Sequence, residues 1–126
     1  MTTILIIEDN AANLKLAAFI LQQAGYAVLN AIDAEAGVTL AREALPDLIL
    51  MDIQLPGING LDATAILKGD PATSRIPVIA LTALAMMGDE ARIRAAGCDG
   101  YVAKPMRYQE LLSTIAKQLG PEADRA

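Results

Sequence analysis

The chain has 126 residues, the size of one domain, and can bury a core without disulfides or a structural metal. Its lone cysteine, Cys98, has no partner within the chain, which excludes a disulfide scaffold and fits a reducing compartment. The absence of histidine excludes imidazole metal sites, serine–histidine triads and histidine general bases. With 10 basic and 15 acidic residues the net charge is −5, which argues against nucleic acid or an anionic membrane as the main partner.

No targeting or membrane segment is predicted. The first apolar run, Ile4–Ile7, is too short for the core of a signal peptide and leads directly into Glu8. The longest apolar stretch, residues 78–87, falls short of the ~20 residues that a spanning helix needs. We therefore expect a cytoplasmic protein.

Short apolar runs alternate with segments of helical spacing along the whole chain. The runs predict five strands: Thr3–Ile7, Ala27–Ala31, Leu48–Met51, Pro77–Leu81 and Tyr101–Ala103. At least the first, third and fourth are continuously apolar, as in parallel strands that are covered on both faces. This alternation predicts an α/β domain with a five-stranded parallel sheet and helices on both faces.

Residue types at the ends of the intervening segments predict where helices begin and end. The first helix has its apolar stripe at Leu14, Ala17, Ala18 and Leu21 and stops at Gly25. The second has Asp33 as its N-cap and ends before Pro46. The others are predicted after Gly60 to about Gly69, after Gly88 to Gly97, and from Tyr108 to Leu119. We expect one domain over residues 1–119 and a short C-terminal tail over 120–126, with no output domain.

Polar residues follow four of the five predicted strands, namely Glu8, Asp9, Asp52, Thr82 and Lys104. In an open α/β sheet, ligands bind outside the carboxyl ends of the strands, where the strand order reverses. In the flavodoxin-like order 2-1-3-4-5, the first and third strands are neighbours. The three acidic residues would then converge, with Thr82 and Lys104 beside them.

The chemistry of this group favours a phosphoryl site. Three carboxylates in one pocket repel one another unless a cation compensates. A divalent ion such as Mg²⁺ meets that need with one or two carboxylates, waters and phosphate oxygens. A carboxylate beside Mg²⁺, a lysine and a hydroxyl is suited to accept a phosphoryl group as an acyl phosphate.

Each of these residues also has an ordinary structural explanation. Asp9 or Asn10 could cap the first helix, and Asp52 could be a turn residue. Thr82 could be a β-branched strand end and Lys104 a solvated charge. Taken singly, each structural explanation is the better one; taken together, the five compatible residues on one edge favour a site.

The residues resemble the receiver domain of two-component response regulators, the CheY-like family. The resemblance covers Thr2 to Leu119 and is carried by the segments ILIIEDN (4–10), DLILMDIQLPG (47–57), ALTA (80–83) and KP (104–105). Residues 86–90 together with Cys98 look most like the DivK-type single-domain regulators, although receiver modules of hybrid kinases have similar sequences.

The resemblance implies a role for each acidic residue. Asp52 would be the phosphoacceptor. Asp9 would bind Mg²⁺ directly and Glu8 mainly through water, with Asp52 and the backbone carbonyl of Gln54 completing the protein ligands. The implied cofactor is Mg²⁺, with Mn²⁺ as a substitute.

The resemblance also implies a phosphoryl-binding and switch group. Thr82, Ala83 and Lys104 would bind the phosphoryl oxygens, and Tyr101 would change rotamer as Thr82 moves inward. Burial of Tyr101 as a plain core aromatic is nearly as good an explanation. The peptide bond between Lys104 and Pro105 would be cis, which would aim the lysine into the pocket.

The implied partners are proteins. Because the chain has no histidine, the phosphoryl donor would be a sensor histidine kinase or a histidine phosphotransfer protein. Such a donor would dock between the first helix and the loop after the fifth strand; for Leu14, packing on the sheet is the better prediction. The resemblance leaves open whether the phosphorylated form dimerises.

The signal would be read out by phosphorylation-dependent binding of a downstream protein target. The face of the fourth helix, fifth strand and fifth helix, reached through the apolar residues 83–87, would change on phosphorylation. The chain is not expected to be a classical enzyme, since it would catalyse only its own phosphoryl transfer and slow dephosphorylation. The alternative is a passive receiver-like interaction module that phosphorylation does not control.

Overall fold

Strands and helices alternate strictly in the computed structural model, which describes residues 2–55, 57–82, 89–104 and 106–120. The elements are β1 (Thr3–Ile7), α1 (Ala11–Gln23), β2 (Ala27–Ala31), α2 (Ala34–Ala44), β3 (Leu48–Asp52), α3 (Gly60–Gly69), β4 (Val78–Thr82), α4 (Asp89–Ala95), β5 (Gly100–Ala103) and α5 (Tyr108–Leu119). The bounds of β1 and β2 are those predicted. The third and fourth strands extend one residue further than predicted, so they end on Asp52 and Thr82 themselves.

The five strands form one parallel sheet in the order β2-β1-β3-β4-β5, as predicted. β1 and β3 are therefore neighbours, although a helix, a strand and a further helix separate them along the chain. In the register, Ile7 pairs with Met51, Asp52 with Leu81 and Thr82 with Ala103. The carboxyl ends of the four strands other than β2 are thus aligned at one edge.

Two buried clusters lie on the two faces of the sheet. Alternate residues of a strand point to opposite faces, so Ile4 and Ile6 pack with α1 and α5, whereas Leu5 and Ile7 pack with α2 and α3. All residues of β3 and β4 are buried, which explains why their sequences are continuously apolar up to the final polar residue. Because β3 and β4 are buried along their whole length, their final residues, Asp52 and Thr82, are held at the carboxyl edge of the sheet.

The helices that flank the sheet begin at side-chain caps. Asn10, Asp33 and Asn59 each accept a hydrogen bond from the backbone N–H three residues later, at 3.0, 2.7 and 2.9 Å. The predicted capping role of Asp33 is confirmed, and Asn10 rather than Asp9 caps α1. In the ranges described above, every helix is too short to cross a membrane, the longest having 13 residues.

Candidate functional site

Three carboxylates converge at the carboxyl edge of the sheet. Glu8 and Asp9 directly follow β1, and Asp52 ends the neighbouring β3. Oxygen atoms of the three side chains all lie within 4.8 Å of one another. Glu8 and Asp52 are buried, with 1% and 3% of their surface exposed, whereas Asp9 faces solvent. The predicted convergence of the acidic residues is therefore present, with one open side.

Lys104 enters this cluster from the other side. It follows β5, and its backbone N–H donates to the carbonyl of Thr82 at 2.8 Å, which fixes the start of the loop against β4. Its Nζ lies 3.0 Å from Oε1 of Glu8 and 3.1 Å from Oδ2 of Asp52. The ammonium group thus bridges the two buried carboxylates, so it is not a solvated surface charge.

Both oxygens of Asp52 have a defined partner. Oδ1 accepts the backbone N–H of Gln54 at 2.9 Å, and Oδ2 accepts from Lys104 at 3.1 Å. The bond to Gln54 is the short-range turn bond expected of an aspartate in this position. The turn role and the site role are therefore compatible, because each uses a different oxygen.

Burial and neighbouring charges shift the pKa values of Glu8 and Lys104. Burial raises the pKa of Glu8 to about 7, and the adjacent Asp52 adds to this increase while Lys104 opposes it. Burial alone would lower the pKa of Lys104, but the carboxylates of Glu8 and Asp52 outweigh that effect and leave it raised. Lys104 therefore stays positively charged, while Glu8 is poised between its acid and its carboxylate.

The donor set fits a hard divalent cation. Apart from the ion pair with Lys104, neither side-chain oxygen of Glu8 has a hydrogen-bond partner among the described residues, although both are buried. Buried carboxylate oxygens without partners are costly, and a cation or its waters would satisfy them. The carboxylates of Glu8, Asp9 and Asp52 leave a solvent-facing side at Asp9, which suits Mg²⁺ because this ion retains several waters.

Of the remaining predicted site residues, the structure describes Thr82 and Tyr101. Thr82 ends β4 at the same edge and is 1% exposed. Tyr101 is half-buried in β5 and packs against the core on the side of α2 and α3, as a core aromatic does. Ala83 and Pro105, and with Pro105 the predicted cis peptide, lie outside the described residues, as do residues 84–88 of the predicted readout path.

A groove lies between α1 and the start of α5, in the region where donor docking was predicted, but its lining differs from the residue considered there. Leu14 packs against the core, as preferred from the sequence, and so does not line it. Instead, Leu16 and Phe19 of α1 and Tyr108 of α5 expose 42%, 62% and 59% of their surface. They border a cavity of about 650 Å³ whose wall continues through Met106 in the loop after β5. The signal in the sequence was a phenylalanine on the outer side of the α1 stripe.

Comparison with known proteins agrees with this geometry. The family model of the response regulator receiver domain matches residues 4–116. The polar-differentiation response regulator DivK of Brucella anthropi is 46% identical over 118 residues, which cover 94% of this chain and 96% of that protein.

Solved structures agree as well. The receiver domain of a Pseudomonas aeruginosa sensor histidine kinase, with a magnesium ion coordinated in its active-site cleft, has a TM-score of 0.88 at 35% identity and covers 94% of this chain and 98% of its own. The chemotaxis protein CheY4 of Vibrio cholerae has a TM-score of 0.88 at 25% identity, covering 93% and 98%. With the sheet order, the acidic cluster and the family match in agreement, the chain belongs to the response regulator receiver domain family of two-component signalling.

Proposed function

We propose that this chain signals by accepting a phosphoryl group on Asp52. The observation that carries the proposal is the position of this carboxylate, which is buried at the switch point of the sheet between Glu8 and Asp9 on one side and Lys104 on the other. A carboxylate with an ammonium group beside it is suited to nucleophilic attack on phosphorus, because the ammonium group can balance the charge of the transferred group where it arrives.

The proposed reaction is a transfer from a phosphohistidine. A carboxylate oxygen of Asp52 forms a bond to phosphorus, and the phosphorus–nitrogen bond of the donor breaks. The electron pair of that bond stays on the imidazole nitrogen, which takes a proton from solvent. The product is an acyl phosphate on Asp52 and a neutral histidine on the donor.

The residues of the site would have separate roles in metal binding and in contacts with the phosphoryl oxygens. Glu8, Asp9, Asp52 and the backbone carbonyl of Gln54 would hold Mg²⁺, which neutralises phosphoryl charge when it is bound. Lys104 would move from its contacts with the two carboxylates to an oxygen of the phosphoryl group. The Thr82 hydroxyl would donate to another oxygen, and Ala83 would add its backbone N–H.

We propose that the donor is a histidine kinase or phosphotransfer protein that docks in the groove between α1 and α5. The groove supports this assignment because its exposed apolar residues, Leu16, Phe19 and Tyr108, lie beside the loop that carries Lys104. Tyr101 would couple the occupied site to a surface that binds a downstream protein target. A receiver-like module that only binds partners, without phosphorylation, is the alternative.

The test is the intact mass of the protein after incubation with acetyl phosphate and Mg²⁺. We expect a single phosphoryl adduct that is absent from Asp52→Asn and from a sample with the metal removed by a chelator, with a Mn²⁺ sample as a further arm. A native chain that gains no adduct, and that does not bind beryllofluoride either, would favour the passive module.

A second experiment tests the docking groove with a panel of autophosphorylated histidine kinase domains. Phe19→Ala should slow that transfer relative to Ile66→Ala, an exposed residue on α3, and leave uptake from acetyl phosphate unchanged.

A further inference from the structure

The first turn of α3 lies directly on the backbone that carries Asp52. Gly60, the first residue of α3, is buried. A Cβ atom added there would collide with the backbone oxygen of Asp52 and would lie 2.6 Å from Cα of Ile53, whereas real Cβ atoms essentially never approach within 3.0 Å. Only a residue without a side chain permits this approach.

Hydrogen bonds hold the two peptides on either side of Ile53, one to Asp52 and one to Gln54. On the α3 side, the N–H of Gly60 donates to the carbonyl of Ile53 at 3.2 Å. On the sheet side, the N–H of Ile53 donates to the carbonyl of Leu81 in β4, also at 3.2 Å. The last residue of β3 and the turn after it are therefore enclosed between a strand and a helix terminus.

The helix terminus is itself well anchored. The buried hydroxyl of Thr64 donates to the carbonyl of Gly60 at 2.8 Å, and the thiol of Cys98 donates to that hydroxyl at 3.7 Å. Asn59 caps the same turn by accepting the N–H of Asp62 at 2.9 Å. The surface against which Asp52 rests therefore has a defined position relative to α4 and β5 as well as to β3.

We propose that Gly60 is a positioning residue for the phosphoacceptor. By admitting the α3 turn against the backbone of Asp52 and Ile53, it fixes where the Asp52 carboxylate and the Gln54 carbonyl lie. This inference rests on the proposed function of Asp52. Phosphoryl transfer depends on the placement of the reacting atoms to within an ångström, so a displacement that leaves the fold intact still slows the reaction.

The test compares Gly60→Ala with Gly97→Ala, using the rate of adduct formation from acetyl phosphate by intact mass and the Mg²⁺ concentration that gives half the maximal rate. Gly97 is a matched control, because it has a φ of 107° and a Cβ there would lie 2.9 Å from Cγ of Lys68, at the opposite edge of the sheet. Both proteins are assayed where circular dichroism shows them fully folded. We expect adduct formation by Gly60→Ala to be at least about tenfold slower than by the control, with a raised Mg²⁺ requirement. Equal rates and equal Mg²⁺ requirements for the two variants would overturn the inference.

A second pair decides the question if Gly60→Ala does not fold. Asn59→Ala removes the cap of α3 and loosens the same turn without adding atoms, and Asp33→Ala removes the equivalent cap of α2. The inference predicts slower adduct formation and a raised Mg²⁺ requirement for Asn59→Ala alone, and identical behaviour of the pair would refute it. The native chain is measured alongside, and its failure to form any adduct would count against the function of Asp52 itself.

Discussion

Replacing Glu8 with glutamine should change how the stability of the protein depends on pH. Burial and the adjacent Asp52 raise the pKa of Glu8 from 4.5 to about 7. Each pKa unit corresponds to about 1.4 kcal/mol, so the difference between folded and unfolded chain amounts to about 3 kcal/mol for this almost fully buried side chain.

The sign follows from which state keeps the proton. Between pH 4.5 and about 7, the folded protein binds a proton at Glu8 that the unfolded chain has already released. The free energy of unfolding therefore falls as the pH rises through this window and levels off above it. Glutamine remains neutral at every pH, so Glu8→Gln removes this contribution. Lys104 adds no slope in this window, because its pKa is raised and it stays charged.

Urea unfolding followed by far-ultraviolet circular dichroism measures the effect, in buffers that contain a chelator so that no divalent cation competes with the proton. The free energy of unfolding of the native chain minus that of Glu8→Gln should decrease by about 3 kcal/mol from pH 4.5 to pH 8. Taking the difference cancels the titrating groups that do not contact Glu8, because both proteins share them. A difference that stays constant with pH, or that increases, would refute the reasoning.

Further predictions concern the same site and the core. Because Mg²⁺ and a proton compete for Glu8, the Mg²⁺ affinity measured by calorimetry should rise by up to about tenfold for each pH unit as the pH approaches 7. Above pH 7 the affinity should level off. Lys104→Met should slow adduct formation from acetyl phosphate by about 100-fold, whereas the exposed Lys117→Met should not. Leu50→Ala, fully buried in β3, should lower the free energy of unfolding in urea by about 2–5 kcal/mol. Cys98, whose pKa burial raises, should react with an aromatic disulfide reagent far more slowly in the native protein than in urea, and equal rates would contradict its burial.

Much of the fold could be predicted from local sequence patterns. The continuous apolar run before Asp52 predicted a strand buried on both faces, and the side chain of Asp33 caps α2 as its position before the helix suggested. These features depend on neighbouring residues, which a single sequence displays. The third and fourth strands were predicted one residue too short at their carboxyl ends, because Asp52 and Thr82 were expected to follow the strands, whereas each is the last paired residue of its strand.

The convergence of the site could be predicted once the strand order was assumed, since Glu8 and Asp52 follow strands that become neighbours at the switch point. Close contacts between elements that are far apart in the sequence could not be predicted. Nothing local to Gly60 indicates that its missing side chain makes room for the backbone of Asp52. Likewise, Lys68 bonds to Asp99 and to the carbonyl of Ile76 only because α3 meets the segments that precede β5 and β4 in space.

The most direct test of the phosphoacceptor is chemical trapping of the acyl phosphate. After incubation with acetyl phosphate and Mg²⁺, borohydride reduces an aspartyl phosphate to homoserine, and peptide mass spectrometry locates the changed residue. We predict homoserine at position 52 and no other, dependent on Mg²⁺ and absent from Asp52→Asn. Homoserine at another aspartate, or a phosphoryl adduct that survives in Asp52→Asn, would contradict the assignment of Asp52.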